Sequence, residues 1–366
     1  MDKLDVFIRN LKKIFRSKGI ITPLTASYEI TPFCNLMCKH CYNRYKSTNH
    51  LDIELSYKKR IVSTLKQLGV LEVVLCGGEP FIDKDILNVI EHAKSLDLRL
   101  IILTNGLLIT EEIIVYLKKI LDKYDIIQLS IDDIIDDEES TQRNLTLEEK
   151  LLVLNNLKKL ISMDINVVVN IVPTILNQHY IIKLAKKLIE LGVKNIGATP
   201  YVPMGGKNAD LIKPDYKLLA DIHKYLDVYA KSKGINYSGG IEGHVCQSYV
   251  EYRKNNSLQQ QNKRRVCDAA EFNIHVSYNG NLYPCVFMEK DEFLIGSISD
   301  PLEKIKIEMK KMNEKIKVEL PSVCLSCELL SLCGGGCPGL IFDRYGTLQE
   351  VDPRCRRKNN ATSDNC

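Results

Sequence analysis

Cys34, Cys38 and Cys41 lie in the run Thr31-Pro32-Phe33-Cys34-Asn35-Leu36-Met37-Cys38-Lys39-His40-Cys41-Tyr42, a C-x₃-C-x₂-C spacing. The chain opens on Met1-Asp2-Lys3-Leu4, a charged helical start without an apolar signal core, so secretion is not expected and the location expected is cytoplasmic. In a reducing compartment, clustered thiols read first as metal or catalytic ligands. A [4Fe–4S] cluster is normally held by four thiolates, so three on one loop leave an iron open to an outside ligand. Taken alone, the triplet also permits a Cys₃His zinc site that uses His40.

Three further motifs stand at the ends of candidate strands: Gly77-Gly78-Glu79-Pro80, Thr104-Asn105-Gly106 and Ser130-Ile131-Asp132. The glycines are expected to let backbone approach a ligand, and Glu79 to accept from an amine. In a parallel sheet all three share one rim with the cysteine loop. This joint pattern resembles that of the radical S-adenosylmethionine (SAM) enzymes over residues 23–240 and implies their partial (β/α)₆ TIM-like barrel. By that resemblance Cys34, Cys38 and Cys41 hold the cluster, and the methionyl amine and carboxylate of SAM complete its fourth iron. Gly77, Gly78 and Glu79 receive the amine, with Thr104 and Asn105 beside them on the rim. Tyr42 lies near the adenine, and Ser130 and Arg143 hold ribose and carboxylate, although the usual Arg-Gly reads Arg143-Asn144 here. Asp132 joins this cofactor-binding set as a strand-end residue on the active rim. The chemistry implied is reductive cleavage of SAM to a 5′-deoxyadenosyl radical that abstracts hydrogen from a substrate.

The C-terminal third carries Cys267 and Cys285, then Cys324-x₂-Cys327-x₅-Cys333-x₃-Cys337-Pro338, then Cys355. Seven cysteines exceed one four-ligand site, and a zinc ribbon built from any four strands the other three. Together with Asn279-Gly280-Asn281-Leu282-Tyr283-Pro284-Cys285, a plausible hairpin, the pattern resembles a SPASM domain over residues 267–355. Two auxiliary [4Fe–4S] clusters are implied, three in all. Cys267, Cys285 and Cys337 serve one, and Cys324, Cys327, Cys333 and Cys355 the other. The first is then one ligand short, and Cys246 is favoured slightly over an iron left open for substrate. Cys76, at a strand end, reads as a packed thiol, and the terminal Cys366 as free.

These residues must be positioned by alternating elements. Candidate strands at 25–30, 72–76, 98–103, 126–131, 165–171 and 195–199 alternate with helices near 53–68, 83–95, 111–123, 146–162, 177–191 and 214–233. The expected organisation is an amphipathic helix within residues 1–22, a barrel over 23–240 and a small cysteine-rich α+β iron–sulfur domain over 241–366. Leu4, Phe7, Ile8, Leu11, Ile14 and Phe15 give the first helix a face for docking on the next domain. The run Asp132, Asp133, Asp136, Asp137, Glu138, Glu139 reads as a solvated acidic face, Asp132 excepted. Thr174, Asn177 and His179, and Tyr201 with Met204-Gly205-Gly206, are candidate substrate or cofactor contacts; His244 is a weaker one.

Composition limits the classes. With 366 residues, 45% hydrophobic and 26% charged, the chain has the length and makeup of a globular protein. A net charge of +4 and a polar stretch at 253–265 without aromatics argue against nucleic acid, and no apolar run supports stable membrane insertion. The function expected is modification of a ribosomally made precursor peptide, by a thioether or other cross-link or by epimerisation. The alternatives are an anaerobic sulfatase-type or small-molecule cofactor maturase, and, outside catalysis, an iron–sulfur electron carrier. Sulfatase maturases carry an aspartate after the cysteine that matches Cys285; this chain has Val286. Expected partners are the peptide and a reducing flavodoxin- or ferredoxin-type donor; since about 22 residues before the first strand are too few for a leader-binding domain, leader recognition is expected to fall to the SPASM region, the N-terminal helix or a separate leader-binding protein.

Overall fold

The computed structural model describes residues 3–43, 53–133, 142–205, 207–239, 264–327 and 330–355. Helix α1 (Lys3–Ser17) precedes seven strands: β1 (Thr25–Thr31), β2 (Glu72–Gly77), β3 (Arg99–Thr104), β4 (Ile126–Ser130), β5 (Val167–Ile171), β6 (Asn195–Ala198) and β7 (Asn236–Gly239). Helices α2 (Leu55–Gln67), α3 (Ile86–Ser95), α4 (Glu111–Ile120), α5 (Leu147–Ser162), α6 (Ile181–Glu190) and α7 (Tyr216–Ser232) connect them. All six pairings from β1 to β7 are parallel, as strand–helix–strand crossovers require. The C-terminal segment continues this sheet: β8 (Asn273–Val276) pairs parallel with β1, and β9 (Asn281–Tyr283) and β10 (Gly296–Ser297) follow antiparallel. The strand order is β10-β9-β8-β1-β2-β3-β4-β5-β6-β7, an unclosed ten-stranded sheet.

The helices bury an apolar stripe against one sheet face, with Ile61, Leu65, Val89, Ile90, Leu117, Leu157, Leu160, Leu184 and Leu188 meeting Val73, Leu75, Leu100, Ile102, Ile127, Leu129 and Val169. Each such side chain contributes about 1.5–3 kcal/mol on burial. Local signals agree with this packing: Thr146 and Glu149 form a capping box on α5, and the Asp215 side chain caps α7. The other sheet face is polar at Ser27 and Glu29 of β1 and at His275 of β8, because strand residues alternate between faces.

Helix α1 docks as expected, packing Leu4, Ile8, Leu11 and Phe15 on Leu24, Leu71 and Phe272. Phe7 and Ile14, expected on that face, are exposed. Lys12 and Arg16 pair with Asp268, and Arg16 also with Glu271, so α1 holds the stretch that leads into β8.

Candidate active site

The cysteine loop leaves the end of β1, and its neighbour at the end of β2 grips it through backbone. Gly78 N donates to Thr31 O at 2.8 Å, and Glu79 N to Phe33 O at 2.7 Å. A Cβ on Gly78 would stand 1.7 Å from Phe33 O, and one on Gly77, at φ +136°, 2.2 Å from Thr31 O. Only glycine therefore lets the cysteine loop pack this closely on the end of β2.

Glu79 is 1% exposed, and burial raises its pKa against the hydrogen bonds that lower it. It accepts from Thr104 Oγ1 at 2.8 Å, Asn105 N at 2.7 Å and Phe81 N at 3.2 Å. Three of the carboxylate's roughly four lone-pair positions are thereby used, which leaves room for one amine donor. Asn105 Nδ2 donates to Asn35 Oδ1 at 2.8 Å, tying the third strand end to the cysteine loop.

The opposite jaw is the segment after β4. Asp132, fully buried, accepts from Val172 N at 2.6 Å and faces Arg143 Nε at 2.6 Å and His40 Nε2 at 3.4 Å. Through these contacts Asp132 anchors the Arg143 guanidinium and ties it to the segment after β5. Asp133 is also buried, accepting from Gln142 N at 2.9 Å and Arg143 N at 3.0 Å, which overturns the solvated reading at that position. Residues Asp136, Asp137, Glu138 and Glu139 lie outside the described residues. Arg143 Nη1 reaches Cys38 Sγ at 3.8 Å. Asn144 takes φ +56°, filling the left-handed position where the family pattern has glycine, and donates from Nδ2 to Met37 O at 2.5 Å. Lys39 N donates to Gln142 O at 2.9 Å. Ser130 is half-buried at the end of β4.

Thr174 and Asn177, expected as ligand contacts, are instead buried braces of this jaw: the Thr174 hydroxyl donates to the Gln142 side chain, and Asn177 Nδ2 to Val172 O at 3.0 Å. Tyr201 is likewise buried, its hydroxyl donating to Ala209 O at 3.0 Å. Gly206 and His244 lie outside the described residues. A cavity of about 830 Å³ lined by Lys12, Glu72, Asn166, Asn195 and Asp268 opens at the N-terminal strand ends, the far end of the sheet from the cysteine loop.

The C-terminal thiols gather into two sets. Cys285 feels the charges of Cys267 and Cys337, whereas Cys324 feels Cys355 and Cys327, and Cys333 feels Cys355. Burial pushes Cys267 up to about 11 and Cys333 to about 12, and Cys285 well above an ordinary thiol. Cys38 of the first loop is likewise pushed up to about 12 by burial, against the pull of Arg143. Such thiols ionise when a metal takes them. Arg265, 1% exposed, lies within electrostatic reach of Cys324, Cys333 and Cys267. Its Nη2 donates to Leu348 O at 3.1 Å and its Nη1 to Gly335 O, while its buried Nε has no hydrogen-bond partner among the described residues. An orphaned guanidinium N–H beside both thiol sets suits anionic sulfur clusters. Cys246 and Cys366 lie outside the described residues. Tyr42, 36% exposed, meets Phe287 edge-to-face at 5.4 Å, so the residue after the third loop cysteine touches the segment that follows Cys285.

Residues 28–188 match the radical SAM superfamily model. The chain carries a radical SAM domain. Residues 267–328 of this enzyme match the SPASM iron–sulfur cluster-binding domain, so SAM and iron–sulfur clusters are its cofactors. It is 24% identical over 354 residues to the mycofactocin maturase MftC of Mycolicibacterium smegmatis, covering 92% of this chain and 84% of the relative. It is 25% identical over 350 residues to the AdoMet-dependent heme synthase of Methanosarcina barkeri, covering 91% and 96%. Streptococcus suis SuiB, solved bound to its precursor peptide SuiA, shares the fold with a TM-score of 0.74 at 21% identity, covering 94% and 78%. Among the described residues no helix is long and apolar enough to cross a membrane.

Proposed function

We propose that this radical SAM enzyme modifies a peptide, most simply by cross-linking a ribosomally made precursor in the cytoplasm. Cys34, Cys38 and Cys41 hold the SAM-binding [4Fe–4S] cluster. Cys267, Cys285 and Cys337, with Cys246 as fourth ligand, and Cys324, Cys327, Cys333 and Cys355 hold two auxiliary clusters. With SAM bound, the first cluster supplies the electron that releases a 5′-deoxyadenosyl radical. Glu79 receives the methionyl amine, and Arg143, held by Asp132 and Asp133, faces its carboxylate. Tyr42, Ser130, Thr104 and Asn105 complete the rim, and the two jaws exclude water from it.

The observation that carries this reading is the union of the two cysteine regions: β8 pairs with β1, and Tyr42 meets Phe287. This adjacency supports a reading in which an auxiliary cluster accepts the electron released when a cross-link forms by hydrogen abstraction and one further oxidation. Val286 disfavours the sulfatase-type alternative. Similarity to SuiB, which binds the precursor peptide SuiA, and to the maturase MftC supports a natural-product precursor; the near full-length similarity to a heme synthase supports the second reading, a small-molecule cofactor maturase.

Anaerobic incubation of the cluster-loaded enzyme with SAM, reductant and synthetic copies of the short peptides encoded beside its gene separates the two. A peptide lighter by two hydrogens, formed with 5′-deoxyadenosine, supports cross-linking. Unchanged peptides, together with consumption of a tetrapyrrole supplied in a parallel reaction, would instead support the second reading. A donor of flavodoxin or ferredoxin type replacing dithionite, and a leader-binding protein retained with the peptide, complete the proposed set of partners.

A further inference from the structure

Three side chains on the polar sheet face converge without a role in the site described above. Glu29 belongs to β1, His275 to the adjoining β8, and Glu289 follows the short turn after Cys285. One ligand atom from each lies within 4.8 Å of the other two, and His275 Nε2 stands 3.3 Å from Glu289 Oε2. Glu29 and His275 are each 1% exposed. A cation about 2.1 Å from each of three donors holds them about 3.0–3.4 Å apart, the separation His275 and Glu289 already have, and the third donor need close in only slightly.

The surroundings have the form of a ligand shell. Ser27 Oγ lies 2.9 Å from His275 Nδ1, and Asn43 Nδ2 donates to Glu29 Oε1 at 3.0 Å. When Nδ1–H donates to Ser27, Nε2 turns its lone pair toward the two carboxylates, the tautomer that a metal takes. Two carboxylates and a neutral imidazole sum to a charge that one divalent cation cancels. The absence of thiolate from the set favours a harder first-row ion over Cu⁺.

We propose that Glu29, His275 and Glu289 form a binding site for a divalent first-row cation of the Mn²⁺ type, separate from the iron–sulfur clusters. The ion clasps β1, whose chain runs on into the Cys34 loop, to β8 and to the segment after Cys285. It thus fixes the radical site against the auxiliary cysteines at the point where Tyr42 also feels the charges of Glu29 and Glu289.

The test uses the full chain loaded with its clusters, saturated with SAM and gel-filtered, and reads free Mn²⁺ by electron paramagnetic resonance during titration. The expected result is one Mn²⁺ bound per chain. Ser27→Ala, which alters only the orienting hydroxyl, weakens binding about 10- to 100-fold, the range for loss of such an outer partner. His275→Ala and Glu289→Gln weaken it further, with the iron content of each variant confirming that it folds and keeps its clusters. Mn²⁺ should also raise the thermal midpoint of the unmodified chain but not that of His275→Ala. An unmodified chain that leaves Mn²⁺ free at millimolar concentration overturns the proposal, as does binding that is equal in His275→Ala.

Discussion

Replacing Gly78 by alanine tests whether the end of β2 positions the cysteine loop. The new Cβ would lie 1.7 Å from Phe33 O and 2.1 Å from its carbonyl carbon, both backbone atoms, whereas real Cβ contacts essentially never fall under 3.0 Å. The loop must therefore move by about 1.3 Å, and with it Cys34, the next residue. Two backbone hydrogen bonds, Gly78 N to Thr31 O and Glu79 N to Phe33 O, are lost or stretched. At about 0.5–1.5 kcal/mol each they total about 1–3 kcal/mol, within the roughly 5–15 kcal/mol of a typical domain, so the fold survives. Misplacement of a reacting group by about 1 Å costs about 100-fold in rate. The expected outcome is a folded protein that keeps its auxiliary iron and forms 5′-deoxyadenosine about 100-fold more slowly. Gly19→Ala, at φ +66° with nothing within 4 Å of its Cβ, is the control that should strain backbone without slowing the reaction. A Gly78→Ala enzyme that cleaves SAM at the unmodified rate would refute the clamp.

Other perturbations follow from the same contacts. Asp132→Asn removes a buried charge opposite Arg143; at about 3–5 kcal/mol for breaking a buried pair, SAM affinity measured by equilibrium dialysis should fall by more than tenfold. Arg265→Gln removes the buried cation beside both auxiliary thiol sets, so redox titration should find the auxiliary potentials lowered, because a nearby positive charge favours the reduced cluster. His223 is buried and its pKa is lowered to about 4 by desolvation, from an ordinary 6.5. Its contribution is complete above 6.5 and is lost as the pH falls toward 4, about 3 kcal/mol across that window; urea midpoints should show the loss, and His223→Leu should flatten the slope. Tyr42→Phe should keep SAM cleavage and Tyr42→Ala should impair it, since the ring contact with Phe287 needs no hydroxyl.

The alternation of short apolar runs with helical stretches made six β/α units legible, because burial against helices imposes apolar residues on the strands. Register at the ends was less so: the third strand reads as 98–103 and forms as Arg99–Thr104. Strand β7 went unread because Asn236-Tyr237-Ser238-Gly239 is polar and half-exposed, without an apolar run. That β8 joins β1 is equally invisible in sequence, since pairing across more than two hundred residues leaves no local signal. The thiols and the strand-end motifs are legible from spacing, but several polar residues that brace them are not. Gln142, Asn144, Arg265 and His275 act through tertiary neighbours, and only the Asn at the family's glycine position hinted at one of them. Thr174, Asn177 and Asp133 were misread for a related reason: a polar residue after a strand looks the same in sequence whether it meets solvent, ligand or a buried brace.

We propose that the Cys34–Cys41 loop supports radical formation from SAM while separate thiol sets hold auxiliary clusters. The most direct measurement is anaerobic reconstitution, with iron and sulfide quantified and 5′-deoxyadenosine followed by mass spectrometry in the presence of dithionite and SAM. About 12 irons per chain, falling to about 8 in Cys34→Ala together with loss of deoxyadenosine, is the predicted result for three four-iron clusters. Zinc in place of iron, or deoxyadenosine formation that persists undiminished in Cys34→Ala, would contradict the account.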